Sequence, residues 1–79
     1  MLIVICQVDT SRGAPYCAMS EVHEDVVQHE REVLFALLRD EIEWGLERGG
    51  AVATGEIKYK IMRPGLMLGD SEVIEEGTL

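Results

Sequence analysis

Positive charge is scarce in this chain. Seven lysines and arginines stand against fifteen aspartates and glutamates, a formal net charge of −8. Binding a polyanion requires neutralising its phosphates, so direct binding of nucleic acid or of an anionic membrane is not expected. Cysteine is limited to Cys6 and Cys17. Two thiols without a second pair make neither a zinc site nor a disulfide scaffold, and reduced, core-filling thiols are the expectation. Long hydrophobic runs are also missing. Met1–Val8 is apolar but short, lacks a basic flank and meets Asp9 at once. It reads as neither a signal peptide nor a membrane span, so the cytoplasm is the expected compartment. There is no internal repeat, low-complexity stretch or linker.

Seventy-nine residues are expected to form one domain, residues 1–79. A domain this size buries roughly 60% of the surface of its unfolded chain, which leaves no room for a deep cleft between subdomains. At 47% hydrophobic and 28% charged residues, the chain reads as globular rather than disordered.

The acidic residues are not spread evenly. Between Ser20 and Arg48 lie Glu21, Glu24, Asp25, Glu30, Glu32, Asp40, Glu41, Glu43 and Glu47, against Arg31, Arg39 and Arg48. This stretch reads as one long helix. Ser20 is a plausible N-cap, early acids suit the positive end of the helix dipole, and Arg48 followed by Gly49-Gly50 is a stop signal. Gly45 inside it costs up to about 1 kcal/mol relative to Ala.

Strands are expected on either side. Leu2–Val8 is rich in β-branched residues and apolar on both faces, which suits a central strand. Ala14–Met19 reads as a weaker strand, pushed by Pro15 toward an edge. A two-residue turn at Ser11-Arg12 would pair residues whose numbers sum to 23, with Cys6 opposite Cys17, although the turn is not of the favoured Asn-Gly type. Ile57, Tyr59 and Ile61 alternate with Glu56, Lys58 and Lys60, the pattern of a half-buried strand. Arg63-Pro64-Gly65-Leu66 suits a type II turn. Leu66–Leu68 and Glu72–Ile74 would return as a last strand, with a bulge at Gly69-Asp70 and a frayed acidic tail over Glu75–Leu79. The expected fold is α+β, in the order β(β)αββ: an antiparallel sheet of three to four strands packed by one long helix.

At 100° per residue the helix carries two apolar stripes rather than one. Val22, Val26, Val33, Leu37 and Trp44 form one; Val27, Leu34, Phe35, Leu38, Ile42 and Leu46 form the other. Glu30, Glu41 and Arg48 lie between them. The apolar arc is roughly twice the ~100° that a helix needs to cover one sheet. Either the helix kinks or ends early, so that its two halves use different faces, or a second copy covers the first stripe, or that stripe is a binding site with Trp44 as its anchor.

Constellations for chemistry are weak. Glu21, Asp25 and His29 share an i, i+4 stripe of the expected helix, but a solvated face is the simpler reading. His23 and His29 are six residues apart and point away from each other, so the zinc-protease motif is absent. No serine sits in a nucleophile-elbow motif, and Gly49-Gly50 follows a helix, the wrong end to cradle phosphate. No catalytic residue, metal or cofactor is expected. Lys58 and Lys60 read as a solvated strand face or as a guard against edge pairing.

Carboxylates at i, i+3 and i+4 stand about 5–6 Å apart on a helix. Such a row can stand in for consecutive phosphates in a groove built for nucleic acid. Glu21-Asp25-Glu32 and Asp40-Glu43-Glu47 make two rows. In length and in this acidic helix the chain resembles, as a class, the small acidic proteins of phages and mobile elements, anti-CRISPR proteins among them. The resemblance implies a non-enzymatic inhibitor that blocks a basic nucleic-acid-binding surface of a CRISPR effector complex. The partner-binding residues expected for such a role are Asp25, Glu32, Asp40, Glu43 and Glu47, with Trp44 as apolar anchor. The alternative is a homodimeric structural or regulatory accessory protein, phage or antitoxin-like, joined through Val26, Val33, Leu37 and Trp44.

Overall fold

The structure, a computed structural model, describes residues 1–65, 69 and 71–79. Strands β1 (Leu2–Val8) and β2 (Tyr16–Val22) are followed by helices α1 (Glu24–His29) and α2 (Arg31–Arg48), then by strands β3 (Lys58–Arg63) and β4 (Glu72–Thr78). All neighbouring strands are antiparallel, in the order β2-β1-β3-β4. The α+β class and the four-stranded antiparallel sheet are as expected. β1 is central, and β2 is an edge. Since β2 and β3 both run antiparallel to β1, they are parallel to each other and separated by it. The helices make the long crossover that such a connection requires.

The β1–β2 register differs from the hairpin expectation. Paired residues sum to 24, so Cys6 faces Ala18 and Gln7 faces Cys17. The connection is longer than two residues: Gly13 donates to the Thr10 carbonyl and takes φ 86°, the left-handed conformation that favours glycine. Burial decides the register. Ala18 and Val22 join Leu2, Val4, Cys6 and Val8 in the core. A one-residue slip would bring Met19 and Glu21 to that face instead.

The long helix is also corrected. Ser20 pairs with Val4 inside β2 and caps nothing. The helical stretch begins at Glu24 after His23, whose carbonyl accepts from Val26 and Val27. It breaks at Glu30, where φ −128° and ψ 32° interrupt the helix between α1 and α2. Val22 therefore lies in the sheet, and Val26 and Val27 pack against the core from a separate short helix. The C-terminal stop is as expected. Gly50 takes φ 68°, its amide donates to Glu47, and Ala51 donates to Leu46, which together close the last turn.

One face of the sheet is covered by α2. Leu34, Leu38, Ile42 and Leu46 meet Val4, Cys6, Val8, Tyr59 and Ile61 in a single core. The helix is tied down at both ends. At its start Arg31 pairs with Glu75 of β4. Near its end Gly45 lies against Tyr16 of β2. It thus crosses the sheet from one edge strand to the other.

The alternation over Ile57–Ile61 is as expected: Tyr59 and Ile61 are buried, Lys58 and Lys60 exposed. The C-terminal segment is not a frayed tail. Glu75–Thr78 lies within β4, and Leu79 donates to the Ile57 carbonyl at 2.8 Å. The register shifts between Ile61 and Met62, which face Glu75 and Val73 respectively. Ile74 is thus the extra residue of a bulge. Leu66–Leu68, Asp70 and the full Arg63–Leu66 turn lie outside the described residues.

Candidate protein-contact face

An 18-residue helix laid on one sheet can bury only one side. In α2 that side is the Leu34-Leu38-Ile42-Leu46 row, spaced every four residues. The opposite side is apolar as well: Val33, Leu37 and Trp44 are 61%, 63% and 59% exposed. The helix start at Glu24 accounts for Val22 of the first stripe and the break at Glu30 for Val26, but these three are left uncovered. Val26 is half-buried on the core and does not belong to an exposed seam.

Asp40, Glu43, Trp44 and Glu47 sit at i, i+3, i+4 and i+7, on adjoining turns of the outer side of α2. Glu32 lies three turns earlier, eleven residues before Glu43, and so has nearly the same azimuth. All five are exposed. Asp25 is exposed too, but on α1 beyond the break. Glu21 lies in β2. The expected row Glu21-Asp25-Glu32 is therefore dissolved, as is the Glu21-Asp25-His29 stripe, whereas Asp40-Glu43-Glu47 is intact.

Three of the basic residues have partners. Arg31 pairs with Glu75, and Arg63 lies 3.4 Å from Glu24 and 3.8 Å from Glu72. Arg48 lies over the Trp44 ring, 4.5 Å from its centroid, a cation–π contact rather than a carboxylate pair. Among the described residues, Asp25, Glu32, Asp40, Glu43 and Glu47 make no ion pair. The outer side of α2 is thus an exposed tryptophan, with Arg48 over its ring, beside carboxylates that make no ion pair among the described residues and share the helix surface with exposed Arg39.

The opposite face of the sheet was not singled out by sequence reasoning. No helix covers it. β1 contributes Ile3, Ile5 and Gln7; their partners on β2 are Glu21, Met19 and Cys17, and on β3 Met62, Lys60 and Lys58. A shallow groove of about 690 Å³ runs over this face past Ile5, Lys60, Met62 and Val73. The signal was present in the apolar residues on both faces of Leu2–Val8.

The two thiols lie on opposite faces and are unpaired: Cys6 is buried, and Cys17 is exposed. Burial, and secondarily the Glu41 carboxylate, raise the Cys6 pKa above the ordinary thiol value. Among the described residues no group of three or more His, Cys, Asp or Glu side chains is disposed to hold a metal ion, and no helix is long and apolar enough to cross a membrane.

Comparison with family models, curated proteins and solved structures finds no match. The functional argument therefore stands on the residues and geometry of this chain.

Proposed function

We propose that the protein is a non-enzymatic, protein-binding inhibitor that occupies a basic surface on its target through the outer side of α2. The observation that carries this reading is the intact Asp40-Glu43-Glu47 row around exposed Trp44, with no arginine or lysine pairing any of the three among the described residues. Carboxylates left without internal partners favour a complementary basic surface, which steers association and makes it salt-sensitive. Trp44 supplies the desolvated anchor that charge alone lacks. A basic groove built for nucleic acid presents the matching chemistry, and the class resemblance to anti-CRISPR proteins points to the nucleic-acid channel of a CRISPR effector complex.

A symmetric homodimer through the same helix is the weaker reading. A two-fold seam there would set Asp40, Glu43 and Glu47 against a second set of the same carboxylates, and Val26 is engaged with the core.

Capture of proteins from a bacterial lysate by immobilised wild type, compared with the Asp40→Lys/Glu43→Lys/Glu47→Lys variant, tests the proposal. The expected target is a nucleic-acid-binding protein, released by high salt and displaced by duplex DNA. Its affinity for the triple variant should be weaker by at least about tenfold. Undiminished capture by the variant, or indifference to competing DNA, would rule out the acidic face as the blocking surface.

A further inference from the structure

We infer that the uncovered sheet face is a receptor for α2 of a second copy, so that the protein associates head to tail. The inference rests on the outer side of α2 being a contact surface, as proposed above, and adds a second surface to it. The chain's only two lysines, Lys58 and Lys60, are both on this face, on inner strand β3. Neither makes an ion pair among the described residues. Ile3, Ile5, Met19 and Met62 surround them in register, and Met19 is 68% exposed. The carboxylates of the face, Glu21 and Glu76, lie on the edge strands β2 and β4. The face thus carries Ile3, Ile5, Met62 and both lysines on the inner strands and its two carboxylates on the edge strands, Glu76 in register with Lys60.

The outer side of α2 is the complement: Val33, Leu37 and Trp44 flanked by Asp40, Glu43 and Glu47. Charge selects which pair of surfaces meets. Helix against helix brings carboxylates together, and sheet against sheet brings together the lysine-bearing faces. Helix against sheet pairs the signs and covers both apolar patches, repeating on the second sheet face the packing that α2 already makes on the first. The contact joins two different surfaces, so it does not close on itself at two copies, and longer assemblies follow. The sheet face measures only roughly 15 by 20 Å. That is well under the ~800 Å² per partner of a standard stable interface, so association is weak and appears at high protein concentration.

Sedimentation velocity over a concentration series, at low and high salt, tests the inference. Wild type should show an average mass that rises continuously past that of a dimer and falls with salt. Lys58→Glu/Lys60→Glu should disable the sheet face, and Leu37→Glu/Trp44→Glu the helix face; each should remain monomeric, with folding verified by circular dichroism. Mixed together, the two variants should form a one-to-one complex that grows no further, because each supplies the surface the other lacks. Lys58→Gln/Lys60→Gln, without charge reversal, should weaken wild-type association at least threefold. A wild type that stays monomeric throughout, or stops at a dimer, overturns the inference. So does failure of the two variants to complement. The lysine variants leave the acidic helix untouched, so target capture is expected to survive in them, and the two proposals fail separately.

Discussion

Gly45 lies so close to the phenol of Tyr16 that a methyl group at position 45 would overlap the Tyr16 hydroxyl and ring. In an exposed helix, replacing glycine by alanine gains up to about 1 kcal/mol. Here the new methyl group would displace the Tyr16 ring, and overpacking of this kind costs about 1–3 kcal/mol. Gly45→Ala is therefore expected to destabilise the protein, by about 1 kcal/mol net, in urea denaturation. Pairing it with Tyr16→Ala should recover the helix-propensity gain. Additive effects of the two substitutions would show that no such contact exists.

The Tyr59 hydroxyl donates to Glu75 at 2.6 Å and accepts from Arg31 at 3.2 Å, joining the start of α2 to the sheet. Its ring packs against Phe35, with centroids 4.8 Å apart. Tyr59→Phe keeps the ring and removes both hydrogen bonds. A loss of about 1 kcal/mol is expected in equilibrium denaturation. The direct Arg31–Glu75 pair is more than a third exposed on one side. It is screened accordingly, so Glu75→Gln, whose amide oxygen can still accept from the Tyr59 hydroxyl, should cost less than about 1 kcal/mol.

Cys6 and Cys17 should behave differently toward a thiol reagent. In the native protein one thiol, Cys17, is expected to react, and Cys6 only after unfolding. Rapid labelling of both would contradict the burial of Cys6. Its raised pKa also gives a pH dependence. The unfolded thiol ionises first, near the ordinary 9.0, while the folded one still holds its proton. The Cys6 contribution to stability is therefore fully present below pH 9.0 and is lost as pH rises toward the folded pKa. Cys6→Ala should flatten that alkaline decline in denaturation midpoints measured between pH 8 and about 10.

Ile42 and Trp44 are two residues apart on α2 and face opposite ways. Ile42 is fully buried, and Trp44 is 59% exposed. Ile42→Ala should cost about 2–5 kcal/mol, whereas Trp44→Ala should change stability by no more than about 0.5 kcal/mol. Calorimetric melting of the two variants measures this. Similar losses for both would mean that the assignment of the inner and outer sides of α2 is wrong.

Local patterning made much of the fold legible. The β-branched run at Leu2–Val8, the alternation at Ile57–Ile61 and the Arg48-Gly49-Gly50 stop each encode their element within a few residues. The helix start was not legible, because Ser20 suits a cap as well as it suits an edge strand. Its place in β2 follows from pairing with Val4, sixteen residues earlier in the chain and across a loop. The break at Glu30 carries no proline or glycine to announce it. Asp40, Glu43, Trp44 and Glu47 were found together because α2 really is a helix there; Asp25 was separated from them by the break.

The sequence by itself determined the acidic charge, the α+β class, the central strand and the presence of two apolar stripes on one helix. Those properties follow from composition and from short-range periodicity. Tertiary structure alone decided that Cys6 meets Ala18 rather than Cys17, and that Leu34-Leu38-Ile42-Leu46 faces inward while Val33, Leu37 and Trp44 face out. It also decided that the lysines share an uncovered sheet face with Ile5 and Met19. Periodicity tells which residues share a side, but only the packing of distant segments settles which side has something to pack against.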